Sequence, residues 1–194
     1  MNAGEHTMRA IILVGAALLA ACSGTPVQNQ YYLLRSDAEQ QSRDLSPSKQ
    51  YAMGRIIVAP YIEQPGLVLE TSAGEVRPAM HNQWAEPLKM GLTQFLRVEV
   101  SAAVGEDIFP RAFSDGDIYF DLRIDQMHGT VEGDALLVAY WWIQRDGEVL
   151  ASYQFAETEA LNADGYGALA NAEKRLLSRL SRKLGESLTA ANPG

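Results

Sequence analysis

The stretch from Ile118 to Ala190 leaves this chain the least conformational freedom. Ile118, Phe120, Leu122 and Ile124 alternate with Tyr119, Asp121, Arg123 and Asp125, the period-two pattern of a strand with one wet face. Ala135 to Ile143 follows and is apolar at both parities. Asp146-Gly147 then marks a tight hairpin turn into a further strand over 148–157. From Gly165 to Ala190 the period changes. Leu169, Leu176, Leu177, Leu180, Leu184 and Leu188 fall on one stripe of a long helix, with Lys174, Arg175, Arg179, Arg182 and Lys183 on or beside its outer side.

Upstream, Tyr31 to Leu34 reads as a first strand and Ser36 to Gln50, rich in Ser, Asp and Gln, as a surface loop. Arg55 to Ala59 is a β-branched run stopped by Pro60, and Leu67 to Thr71 is another strand, opened by the turn pair Pro65-Gly66. Glu75 to Met80 is placed to pair back as an edge strand, because Pro78 has no N–H for a central position. Trp84-Ala85-Glu86-Pro87 opens a helix, with Asn82 or Trp84 near the cap, Pro87 in the first turn and Glu86 facing the positive end of the dipole. Leu88, Leu92, Phe95 and Leu96 form its buried face, and Gly105 stops it. The pattern predicts an α+β fold: a mixed, largely antiparallel sheet with two long helices packed on one face. Two helices cover only one side. Leu136, Val138, Tyr140 and Trp142 then form an apolar row on the other, covered either by a loop or N-terminal segment or by a partner.

The N-terminus carries a different kind of signal. Arg9, the apolar run Ala10 to Leu19 and the small residues Ala20-Ala21 read as a secretory signal peptide, too short for a membrane-spanning helix. Met8 serves as a start as well as Met1. Leu19-Ala20-Ala21-Cys22 looks like a bacterial lipobox, in which the thiol of Cys22 is acylated and becomes the first mature residue. The organisation expected is a signal peptide at 1–21, a lipidated cysteine and tether at 22–30, a single domain at 31–190 and a tail at 191–194. Ser23 to Gln30 is eight residues long and reaches at most ~28 Å when extended, so the domain sits close to the membrane. Cys22 is the sole cysteine, so the domain has no disulfide and must hold together by its core. A net charge of −8 argues against nucleic acid as a partner and against adhesion to an anionic bilayer by charge.

Catalytic chemistry finds little to stand on. His81, in a loop, and His128, near a strand end, have no triad context and read as ordinary hydrogen-bonded surface histidines. Metal-ligand spacing is missing, and Asp115-Gly116-Asp117 is a turn rather than an ion loop. Asp121 and Asp125 share a strand face, but with Arg123 between them they read as a solvated face rather than a carboxylate pair for glycoside chemistry. Gly165-Tyr166-Gly167 is a helix entry, not a phosphate loop. Tyr140-Trp141-Trp142 point to alternate faces and serve core packing, a partner contact or lipid headgroups. No enzyme, metal or cofactor is expected.

Three segments carry a resemblance. Tyr31-Tyr32-Leu33-Leu34 after a lipobox, then Val58 to Val68 with its Pro60 and Pro65, then Asn82-Gln83-Trp84-Ala85-Glu86-Pro87-Leu88, together resemble the ABC-type transport auxiliary lipoproteins, the PqiC-like family. The likeness runs from Cys22 to about Leu188 and is sharpest at Trp84-Ala85-Glu86-Pro87-Leu88; Gln64-Pro65 departs from the Arg-Pro of many relatives. The resemblance implies a non-catalytic, lipid-anchored periplasmic component of an MCE-protein/ABC system moving phospholipids or other hydrophobic molecules between membranes. It implies an MCE-domain protein and ABC transporter subunits as partners, beside the membrane itself and copies of the same chain. Pro60, Pro65, Trp84, Glu86 and Pro87 are the motif positions, for binding or for fold support. Ser23, where enteric-type inner-membrane lipoproteins carry Asp, implies an outer-membrane anchor facing the periplasm. Two other classes stay open: a lipid-binding carrier with its own apolar pocket, and an envelope-integrity or inhibitor lipoprotein.

Overall fold

The computed structural model describes residues 27–72 and 74–191; the signal peptide, the lipobox and Cys22 lie outside the described residues. Eight strands form one mixed sheet: β1 (Gln30–Tyr32), β2 (Pro47–Val58), β3 (Gly66–Ser72), β4 (Glu75–Trp84), β5 (Asp107–Pro110), β6 (Ile118–Gly129), β7 (Asp134–Arg145) and β8 (Glu148–Ala160). Among the described residues the α-helices are a single turn, α1 (Glu39–Ser42), and two long ones, α2 (Leu88–Val104) and α3 (Tyr166–Ala190).

The strand β6 organises the sheet. Along one edge it pairs antiparallel with β7, which pairs antiparallel with β8. Along its other edge it takes β2 in parallel beside residues 118–124 and β3 in parallel at Gly129. From there the sheet branches, to β5 beyond β2 and to β4 and then β1 beyond β3. The β7–β8 turn uses Asp146 at φ 50° and Gly147 at φ 84°. Both central residues thus adopt the positive φ that the twist of a two-residue hairpin requires.

Both long helices lie on one face. α3 packs against β6, β7 and β8, and α2 packs against α3, β5 and β2. The leucine stripe of α3 is buried, with Leu176, Leu177, Leu180, Leu184 and Leu188 each at 0% exposure, and each such side chain contributes ~1.5–3 kcal/mol by leaving water. The helices approach closely where a Cβ on Gly185 would lie 2.7 Å from the Ala103 Cβ, so any larger residue there would push them apart. α2 ends as expected, with Gly105 at φ 83° and its N–H bonded to the Ser101 carbonyl.

Several expectations change in detail. The segment 36–50 is not a loop throughout: it holds α1 and the start of β2, where the Ser48 hydroxyl accepts from the Tyr51 N–H at 2.9 Å. Trp84 and Asn82 belong to β4, not to a helix cap; Pro87 at ψ 124° is the cap of α2, and the helix begins at Leu88. Glu86 therefore lies outside the helix and pairs with Arg35 instead of the dipole. The stretch from Glu75 to Met80 pairs back on β3 as expected, and β1 joins β4 only at residues 82–84, so Pro78 lies on the edge portion of the strand.

Candidate interaction surfaces

Alternation along β7 separates two environments. Ala135, Leu137, Ala139, Trp141 and Ile143 face the helices and are at most 3% exposed. Leu136, Val138, Tyr140 and Trp142 point the other way and are half-buried. The indole of Trp141 donates to the Ser187 hydroxyl of α3 at 2.9 Å and stacks on Tyr153 with centroids 5.2 Å apart.

The row on the open face runs through a polar border. Leu136, Val138, Tyr140 and Trp142 stand opposite Thr158, Ala156, Gln154 and Ser152 of β8. Across the β6 edge their partners are His128, Gln126, Arg123 and Asp121. Ile57 of β2, 48% exposed, continues the line past Arg123. Asp121 is not a solvated carboxylate. It accepts from the Arg55 N–H at 2.7 Å and from the Gln144 amide at 3.0 Å, holding β2 at its bulge. A Cβ on Gly54 would come within 2.3 Å of that carboxylate and 2.7 Å of the Phe120 carbonyl, so the bulge excludes larger residues. Asp125 pairs with Arg123. These carboxylates hold the sheet's geometry and are not arranged as an acid–base pair.

The three family-like segments meet at one end of the sheet. The Trp84 N–H donates to the Pro65 carbonyl at 2.9 Å, and the Ala85 N–H donates to the Tyr32 carbonyl at 2.8 Å. Trp84 itself is 6% exposed. Arg35 grips both carboxylate oxygens of Glu86, and this bond holds the Glu86 carboxyl below the usual carboxylate range. Pro87 accepts from the Met90 and Gly91 N–H groups in the first turn of α2. Pro60 and Pro65 bound a turn whose Ile62 is 2% exposed. All five motif positions thus have structural work on a strand–turn–helix junction.

Two buried polar groups were not evident beforehand. His128 is not a surface residue: it is 6% exposed, Tyr61 Oη lies 3.1 Å from its Nδ1, and burial lowers its basicity. The partner comes from a turn 67 residues away, which local sequence cannot reveal. Glu173 is 2% exposed on the covered side of α3, with Oε2 lacking a hydrogen-bond partner, and burial pushes its carboxyl up to about 8. Its spacing was the available signal, since Leu169 and Leu176 place position 173 on the apolar stripe. His81 lies in β4 rather than in a loop; it is exposed and its Nδ1 meets the Asn29 side-chain oxygen at 2.9 Å.

Among the described residues no three His, Cys, Asp or Glu side chains are placed to hold a metal ion. Among them, also, no helix is long and apolar enough to cross a membrane. Residues 31–185 match the family model described as the ABC-type transport auxiliary lipoprotein component. The fold is similar to a crystal structure of an uncharacterized protein, with a TM-score of 0.70, 18% identity and coverage of 82% of this chain and 98% of that one. It is also similar to protein XCC0632 from Xanthomonas campestris, with a TM-score of 0.62, 17% identity and coverage of 84% and 94% respectively. No curated protein sequence gives a significant match.

Proposed function

This chain belongs to the ABC-type transport auxiliary lipoprotein family, and from that premise we propose that it is the non-catalytic, lipid-anchored periplasmic subunit of an MCE/ABC-type system. Such a system moves phospholipids or other hydrophobic molecules between the inner and outer membranes. Cys22 is the acylated residue, Ser23 directs the protein to the outer membrane, and residues 31–190 act as one domain on the periplasmic side. The tether of eight residues spans at most ~28 Å, so reaching the opposite membrane requires a partner long enough to cross, and an MCE-domain protein has that role.

The observation that carries the reading is the half-buried apolar row on the face of β7 turned away from the helices. Leu136, Val138, Tyr140 and Trp142 are the contact residues, engaging an MCE protein or further copies of this chain. An apolar row with a polar border suits a protein interface, whose centre is commonly anchored by Trp or Tyr. A carrier that encloses its own cargo is less well supported. The space between sheet and helices is filled by side chains such as Phe95, Phe120, Leu122 and Leu177, each at most 1% exposed.

The test is co-purification of the full-length protein from detergent extract with the MCE protein encoded in the same cells. Recovery of that protein, lost on Trp142→Ala, is the expected result. A sample that binds no MCE protein but retains phospholipid after delipidation would favour the carrier instead.

A further inference from the structure

We propose that the β1 edge of the domain seats directly on the lipid surface, with Tyr31, Leu33 and Met80 at the headgroup–acyl boundary. The inference rests on the acylation of Cys22. Tyr32 and Leu34 turn inward, whereas Tyr31 and Leu33, two residues apart, are 60% and 58% exposed. Val27 is 69% exposed, Met80 on the adjoining β4 78%, and Met90 in the first turn of α2 62%. Register and chain neighbours connect these positions. Tyr31 is in register with Gln83, whose side-chain amide donates to the Met80 carbonyl at 2.9 Å. Leu34, next to Leu33, packs against Gly91, next to Met90. A groove of about 670 Å3, bordered by the Arg35–Glu86 pair together with Pro87, Lys89, Met90 and Thr93, continues the surface.

Chain length then selects the occupant. Cys22 precedes Val27 by five residues and Tyr31 by nine, spans of at most ~18 Å and ~32 Å when fully extended. An acyl chain on Cys22 therefore holds this edge, and not the distant β8, against the bilayer. Strand order agrees, because β1 and β8 end opposite arms of the sheet. A domain seated by β1 places β7 on the arm of the sheet away from the bilayer.

Charge separates this patch from other exposed apolar residues. Between Val27 and Arg35 and between Pro78 and Gln94 the Lys, Arg, Asp and Glu residues are Arg35, Glu86 and Lys89, a net of +1 in a chain of −8. Elsewhere, exposed Phe113 has Asp115 and Asp117 close by in the chain, Val131 has Glu132 and Asp134, and Val149 has Asp146 and Glu148. Those sites would bring carboxylates to an anionic surface; at the β1 edge the one carboxylate, Glu86, is paired with Arg35. Tyr, with an apolar ring and a hydroxyl, suits the membrane–water boundary, and Met and Leu supply apolar depth.

Since acylation consumes the sole cysteine, Leu33→Cys and Val149→Cys each give the mature lipoprotein one reactive thiol. Each is labelled with an environment-sensitive fluorophore in vesicles of phosphatidylethanolamine and phosphatidylglycerol, with and without acyl-chain nitroxide lipids. The expected result is loss of fluorescence at position 33 and none at 149. Equal brightness at both positions, in protein whose mass shows the acylated Cys22, overturns the docking and leaves the anchor standing. A protein without the acyl mass overturns both. A position-33 label shielded from aqueous iodide yet untouched by nitroxide lipids means a protein covers the patch, and also overturns the proposal. Met80→Cys serves as the second reporter if Leu33→Cys does not fold.

Discussion

Trp141 and Trp142 are adjacent in sequence and occupy opposite environments. Trp141 is sealed under α3, hydrogen-bonded to Ser187 and stacked on Tyr153; Trp142 lies half-buried on the sheet face that no helix among the described residues covers. The same contrast extends along β7, and it teaches how one apolar strand divides between two environments. One parity supplies the core that a disulfide-free domain needs. The other stays half-buried between the neighbouring strands β6 and β8.

The sharpest way to break that contrast is Trp141→Ala. Removing a buried indole should lower stability by ~3–5 kcal/mol, read from the midpoint of urea unfolding. Ser187 keeps a partner in the Leu184 carbonyl at 2.9 Å, so the loss reflects packing more than an orphaned hydroxyl. A shift under about 1 kcal/mol would mean that the helices do not seal this face.

Glu173 tests the covered side by charge. Its folded carboxyl titrates at about 8 because burial disfavours the anion, whereas the unfolded chain releases that proton near ~4.3. Between these values the folded state binds more protons than the unfolded state, so stability falls as pH rises and levels off above about 8. At pH 7 the penalty is on the order of 3 kcal/mol. Glu173→Gln should recover most of it at pH 7 and make little difference at pH 4, as unfolding at the two pH values will show. Equal effects at both would mean that the carboxyl is not held neutral.

A smaller effect belongs to the junction of the motif segments. Arg35 and Glu86 are 41% and 26% exposed at the side chain, so solvent screens the pair and Arg35→Ala should cost only ~1 kcal/mol. A loss of several kcal/mol in chemical denaturation would show that the pair holds the β4–α2 connection more tightly than its exposure suggests.

Legibility in the sequence followed locality. The β7–β8 hairpin, the α3 stripe and the Gly105 stop depend on residues within a few positions of one another, and periodicity exposed them. The parallel pairings of β2 with β6 and of β1 with β4 join segments more than 50 residues apart, and no local pattern announces them. For the same reason Pro47 to Gln50 read as loop although it opens β2, and Asn82 to Trp84 read as a helix start although it ends β4. The parity of β7 was readable, but what covers its open side was not, since alternation says which residues share a face and nothing about their company. Glu173 shows the opposite failure: its spacing marked it as buried, and its charge hid it.

The central claim is that the open face of β7 is kept for binding rather than for folding. Trp142→Ala in the full-length lipoprotein tests it, with urea unfolding and co-purification with the MCE protein measured on the same preparation. The account predicts a stability change below about 1 kcal/mol and a loss of association of ~2 kcal/mol or more. Unfolding of the Trp142→Ala protein, or undiminished association at unchanged stability, would contradict it.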